Sequence, residues 1–334
     1  MPDGLALSRP GDLTRVIFTC EKEITDRVFE LTGRKISGRL KIAEDSSDYM
    51  SLSGGTILRL DNNDFFITGQ ASEGRFGIDE QPKYWVKYVI DLETGVRKIV
   101  KLVFNEEFTT RVGPFLIRSL RSPHKEARTL EIVRDHPNFM QGYSVQDAAG
   151  NLVRIIDFVP GPNLYRHVTE MSLDHQTYFH QKLPDIMDKL LQAFEALDFL
   201  RKNGQQHGDV RTDHLIIKTG QGRFVWIDFD MELSHSDYDL FCLGNILLCV
   251  VGKGIHNIQE LTSNPQHYPG LTHGLVLRPD DLSLCGQNRI ANLAKLYPYI
   301  PAKLNRVLMN FSAGTDFFYD SAQALVDDLR EALA

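Results

Sequence analysis

QQHGDVRTDHLII (205–217) sets a His, a Gly and an Asp in a row, then a second Asp and a second His, and runs at once into an apolar triplet. A polar turn before a strand would look the same. The decisive continuation is a QG turn at 221–222 followed by RFVWIDFD (223–230). Two short apolar runs around a glycine turn predict a pair of antiparallel strands. Such a pair brings Asp209 and Asp228 together at one end. Two carboxylates there suit a divalent cation on one and a hydroxyl on the other, with a lysine from elsewhere to neutralise phosphate.

The surroundings read as mostly helical. LPDIMDKLLQAFEALDFLRKNG (183–204) is a long amphipathic helix closed by Gly204, and LFCLGNILLCVVG (240–252) is a buried helix too short to span a bilayer. PGPN (160–163) breaks the chain upstream. Before it come strands in MQGYSVQ and NLVRIIDFV, joined by DAAGN. SPHKEARTLEIVRDHP (122–137) predicts a helix capped by Ser122, with Glu126, Leu130 and Val133 on one face, ending near Asp135 ahead of Pro137. KYWVKYVIDLETGVRKIVKLVF (83–104) reads as a hairpin turning at ETG (93–95). Its alternation puts Lys101 on the face of Ile99 and Val103, where a lysine on an edge strand would snorkel outward. GQASEGRFG (69–77) is a glycine-bearing loop whose Gly69, Gly74 and Gly77 suit plain turns or a phosphate cradle equally. Residues 1–62 form a preamble, with a strand in RVIFTC (15–20), a helix in EKEITDRVFELTGRK (21–35) and a hairpin turn at DNND (61–64).

From about residue 64 onward these stretches together resemble the protein kinase superfamily. KIVKLVF is similar to the V-A-I-K strand, IIDFVPG (155–161) to the hinge, HGDVRTDH to the H-R-D-x-x-x-x-N catalytic loop, IDFD to the D-F-G strand end, and DLFCLG (239–244) to the start of a buried helix. IPAKLNRVLMNFSAGTDFFYDSAQALVDDLREAL resembles the last helices of Ser/Thr protein kinases. The resemblance implies an α+β, two-lobed kinase-like fold: a mostly β N-terminal extension (1–62), an N-lobe (63–159) and a C-lobe (160–334). It implies an ATP-dependent phosphotransferase, using Mg²⁺ or Mn²⁺, that moves the γ-phosphoryl group to a hydroxyl of a protein or small molecule. Asp209 would orient or deprotonate the acceptor, and Arg211 would stabilise charge on the moving group. Asp228, joined by His214, would hold metal. ATP would meet Lys101 paired with Glu126, backbone groups of Asp157 and Val159, and the three glycines.

The departures from the family pattern carry information too. Gly208 replaces the Arg of H-R-D, as in aminoglycoside phosphotransferases and choline kinases. FDMELSHSDY alone separates Asp228 from Asp239, leaving no room for an activation loop, and Tyr319 stands where the Arg that anchors that loop would be. Activity is therefore not expected to need phosphorylation of Ser234 or Ser236. His214 replaces the metal-binding Asn, and imidazole suits Mn²⁺ better than Mg²⁺. Asp213 could supply an oxygen instead, one metal on Asp228 could suffice, or the chain could be a pseudokinase used as a binding module. Asp230, in place of the D-F-G glycine, reads as a solvated turn residue.

Composition narrows the classes. The chain has 334 residues, 42% hydrophobic and 24% charged, with a net charge of −7, which gives no general attraction to nucleic acid or anionic membrane. Its four cysteines form no CxxC pair, which predicts free thiols rather than a disulfide framework or zinc site. Without a recognisable leader, MPDGLALSRPGDL and those thiols predict a cytoplasmic protein.

Overall fold

The computed structural model describes residue 18 and residues 20–334, apart from 76–77, 113–114, 236, 270–275, 285 and 287. The expected strand at 15–20 lies almost wholly outside them. The fold is α+β, and the chain divides into two compact units. One holds the chain up to Val103 together with Ser144–Phe158; the other holds Phe104–Tyr143 and Val159–Ala334.

The first unit is built on helix α1 (Glu21–Thr32) and strands β1 (Ile42–Ala43), β2 (Ile57–Leu60), β3 (Asn63–Arg75), β4 (Ile78–Asp91) and β5 (Arg97–Lys101), completed by β8 (Gly142–Gln146) and β9 (Leu152–Asp157). They form one seven-stranded sheet in the order β1-β2-β3-β4-β5-β9-β8. The DNND turn is as read: Asp61 and Asn62 both take positive φ (47° and 63°), the conformation a tight hairpin turn needs. It joins β2 to β3 within one antiparallel pair. The boundary expected at 62/63 therefore falls inside a hairpin, and the preamble shares its sheet with β3, β4 and β5. Helix α1 closes on Gly33 (φ 69°) and buries Ile24 and Val28 against Ile57, Phe66 and Leu92.

Two expectations change here. Gly69 and Gly74 lie inside the thirteen-residue strand β3, not in a loop. Gly69 sits at a register shift opposite Tyr88, which is what a backbone without a side chain permits in a strand, and Gly77 lies outside the described residues. Lys101 is not on an edge: β5 pairs with β4 on one side and β9 on the other, and Lys101 is buried between Val86 and Arg154.

The second unit starts with the hairpin β6 (Glu106–Val112) and β7 (Phe115–Arg121), then α2 (Pro123–Ile132). It continues with α3 (Leu164–Thr169), α4 (His175–Gln181), α5 (Leu183–Lys202), β10 (Leu215–Ile217), β11 (Phe224–Trp226), β12 (Met231–Leu233) and α6 (Tyr238–Val251). Helices α7 (Ile258–Ser263), α8 (Leu293–Leu296), α9 (Ala302–Met309) and α10 (Ala322–Leu333) complete it. Ser122 is the N-cap of α2 but makes no side-chain cap bond. Its backbone N–H donates to Asp230 O instead (3.1 Å). The core lies among α5, α6 and the β10–β11 pair, where Leu190, Phe194, Trp226, Leu243 and Leu247 are fully buried. Cys242 and Cys249 are buried free thiols and Cys20 is an exposed one. No described helix is long and apolar enough to cross a membrane.

A three-stranded sheet β12-β7-β6 was not expected from the sequence. It catches the segment just after Asp228: Met231, Glu232 and Leu233 pair with Arg121, Leu120 and Ser119. The ladder runs on to Ser234, whose N–H donates to Arg118 O (2.9 Å) and whose hydroxyl accepts from Arg118 N (3.1 Å). Ser236 lies outside the described residues.

Candidate active site

The loop at 205–214 is held from two sides. Helix α5 gives way to an exposed Gly204 (φ 71°), and the chain becomes buried at His207. On one side Asp239, in the first turn of α6, accepts from His207 N (2.7 Å) and from Gly208 N (3.0 and 3.2 Å to its two oxygens). On the other, Lys125 of α2 donates to Gln206 O (2.6 Å), His207 O (2.9 Å) and Phe229 O (2.6 Å). A carboxylate saturated by amides and an ammonium saturated by carbonyls are the forms in which charge tolerates burial. Burial nonetheless pushes Asp239 up to about 6, against the pull of Lys125 and the two amides, and pushes Lys125 down to about 8. Lys125 also bridges the loop to the strand end that carries Asp228. A lysine on the buried side of a helix gives no sequence signal beyond its neighbours Glu126 and Thr129, and it went unread.

Gly208 is required by space and by backbone conformation. Its φ is +84°, and a Cβ there would sit 2.0 Å from the carbonyl oxygen of Met231 on β12. No side chain fits, so the Arg of the kinase pattern has no place in this loop. Gly208→Ala is expected to destabilise the fold by about 2–5 kcal/mol, from left-handed strain plus overpacking. Gly220→Ala is the control: φ is +79° but nothing lies within 4 Å of the new Cβ. It should cost about 1 kcal/mol, within the range for strain alone. Equal urea midpoints for the two variants would show that β12 yields freely.

His207 is fully buried, edge-on to Trp226 (5.1 Å between ring centres) and Phe229 (6.0 Å), and burial holds its imidazole neutral. Its Nδ1 accepts from Asp209 N (3.2 Å). It is a structural residue that backs the strand end carrying Asp228.

Asp209, Arg211, His214 and Asp228 lie together beside the β10–β11 pair. His214, closing a short 3₁₀ turn, places Nδ1 2.9 Å from Asp209 O and 3.5 Å from Asp209 Oδ2. Its Nε2 lies 3.7 Å from Asp228 Oδ2. A ring nitrogen facing a carbonyl oxygen must carry the proton, which leaves the Nε2 lone pair of a neutral ring turned toward a carboxylate. Two acceptors facing each other call for a cation between them, a proton or a metal. Asp228 itself sits at φ 64°, a strained setting that aspartate tolerates better than most residues. Burial raises Asp209, while His214 and Arg211 draw it down.

Asp213 is not a spare metal ligand. Its carboxylate is taken by Arg211, with Arg211 Nε to Asp213 Oδ1 at 3.0 Å. The same guanidinium stands 3.9 Å from Asp209 Oδ2. Asp230 is not a solvated turn residue. It is buried and ion-paired with Arg121 of β7 (3.3 Å) because β12 is drawn into the β6–β7 sheet. Side-chain oxygens of Glu126, Asp228 and Asp230 lie within 4.8 Å of one another. Three carboxylates are the hard oxygen donors a divalent cation of the Mg²⁺ or Mn²⁺ kind prefers, and Arg121 offsets part of their charge.

The other expected residues are placed in the first unit or at its border. Lys101 lies on β5, between β4 and β9. Asp157 ends β9, with its carboxylate on Lys98 Nζ (2.7 Å), and Val159 begins the second part of the other unit. No family model matches the chain, and no curated protein matches it. The kinase resemblance thus rests on the quoted motifs alone.

Proposed function

We propose that the chain is an ATP-dependent phosphotransferase of two-lobed, protein kinase-like organisation, acting on a hydroxyl acceptor in the manner of an atypical Ser/Thr kinase. The observation that carries this reading is the convergence of Asp209, His214 and Asp228 at one end of the β10–β11 pair. Asp228, assisted by Glu126, Asp230 and the Nε2 of His214, would hold Mg²⁺ or Mn²⁺, which would neutralise charge on the phosphates. Lys101 would meet the α- and β-phosphates. Asp209 orients the acceptor hydroxyl: its oxygen bonds to the γ-phosphorus, the bond to the β,γ-bridging oxygen breaks, ADP leaves, and Asp209 takes the proton. Burial raises Asp209 in the direction a proton acceptor needs. Arg211, fixed by Asp213, stands close enough to Asp209 to steady charge on the moving group.

Two rival readings stand beside it. A small-molecule acceptor is favoured by Gly208 and by the absence of room for an activation loop. A pseudokinase is favoured by the Arg121–Asp230 pair, which places a resident cation beside the metal ligands.

ATP with Mg²⁺ or Mn²⁺ should raise the melting temperature, since a ligand at 100 times its Kd stabilises the native state by roughly 2.7 kcal/mol. Lys101→Ala should shrink that shift. Incubation with γ-labelled ATP then separates the readings by where label goes: to proteins, to small metabolites, or nowhere. An unchanged melting curve at saturating ATP and metal would remove the enzyme reading.

A further inference from the structure

Away from this site, the stretch TDFFYD (315–320) and the first turn of α6 enclose a cavity of about 300 Å³. Its walls include Phe241, Phe311, Phe318 and Tyr319, with Asp237 and Asp320 beside them. The aromatic walls are set in place. Phe318 stands edge-on to Phe241 at 5.5 Å, and Tyr319 stacks on Phe311 at 5.8 Å. The Tyr319 hydroxyl donates to Asp328 (2.8 Å) and accepts from Asn310 (2.9 Å). Phe311 is pressed so closely on α6 that a Cβ at Gly244 would lie 2.2 Å from its ring.

The charge around the cavity has one sign. Asp237 and Asp320 are exposed at its edge, and no lysine or arginine is among its described lining residues. The N-terminal end of α6 would favour an anion, but Asp237 at the N-cap and Asp239 in the first turn already supply negative charge there. Ring faces flanked by carboxylates attract organic cations, and the cavity is at the small end of the range for ligand sites. Phe317 and Phe318 remain 47% and 50% exposed, so apolar surface continues past the mouth. A free cation would leave that surface bare, whereas a peptide would cover it.

We infer that this cavity takes the guanidinium or ammonium head of a basic residue in a peptide segment whose apolar neighbours lie over Phe317 and Phe318. The inference does not rest on the phosphotransferase reading. Its test is binding of the labelled peptide acetyl-Leu-Arg-Leu-amide to the full chain by fluorescence anisotropy. Its citrulline counterpart, equal in shape and uncharged, should bind at least tenfold more weakly. Agmatine, a guanidinium without flanking residues, should also be at least tenfold weaker. Phe318→Ala should weaken the arginine peptide about tenfold at a melting temperature lowered only slightly, since half of the ring is exposed, and Asp320→Asn several-fold at an unchanged melting temperature. Equal binding of the citrulline peptide would make the site merely apolar and overturn the inference. Agmatine binding as tightly as the peptide would make it a small-cation site and overturn it too. No binding of the peptide, or binding untouched by Phe318→Ala, would overturn it outright.

Discussion

Asp239→Ala is expected to destabilise the second unit by about 4 kcal/mol, because it orphans two buried amides at roughly 1–3 kcal/mol each and takes from Lys125 the strongest of its counter-charges, leaving Asp230, Glu126 and Glu232. The amides are those of His207 and Gly208, and among the described residues no other partner faces them. Such a loss is a large share of a typical stability of roughly 5–15 kcal/mol. The effect should also depend on pH with a definite sign. The Asp239 carboxyl is raised to about 6 in the folded chain, above its ordinary value near 3.8. A raised acid contributes stability that is present below the unfolded value and lost as pH rises through the folded one. The gap between wild type and Asp239→Ala should therefore widen as pH falls from about 7 toward about 4. Urea denaturation at both pH values measures it. A gap that narrows would mean that the two amides and Lys125 hold the Asp239 carboxylate below its ordinary value, and a loss under about 1 kcal/mol would mean that water satisfies the loop amides.

What could be read in advance tracks the range of the forces involved. The DNND and ETG turns, the end of α5 at Gly204, the buried helix α6 and the β10–β11 pair are all local, and each appears where its turn residues and period put it. The meeting of Asp209 and Asp228 was legible for the same reason: the two flank one short hairpin. The β12–β7 pairing was not, since Met231 and Arg121 stand 110 positions apart and FLIRSLR of β7 carries no clean alternation. Asp230 was misread as a consequence, because its burial comes from that pairing and not from its own neighbours. Lys125 was missed because a buried charge is recognisable only once the three carbonyls that satisfy it are in place. Of the two readings of Lys101, edge lysine and phosphate ligand, the first fails because alternation gives the face of a strand but not its place in the sheet.

Asp209→Asn is expected to lower phosphoryl transfer by about 10²–10⁴-fold, the usual worth of a positioned proton acceptor, while the melting shift with ATP and metal persists. The amide keeps the size of the carboxylate and its place beside His214 and Arg211, so the charge and the proton-accepting role are removed without a change of shape. Loss of the melting shift as well would assign Asp209 to metal binding instead. His214→Asn separates the remaining roles. In the wild type the imidazole is fixed by Asp209 O through Nδ1, which leaves Nε2 to face Asp228. Asparagine offers a harder oxygen at that position, so the variant should turn over better with Mg²⁺ relative to Mn²⁺ than the wild type does. Turnover measured against both metals decides the point. If the ratio is the same in both proteins, Nε2 does not ligate metal. His214 then serves to hold the two carboxylates of the loop and the strand end at their separation.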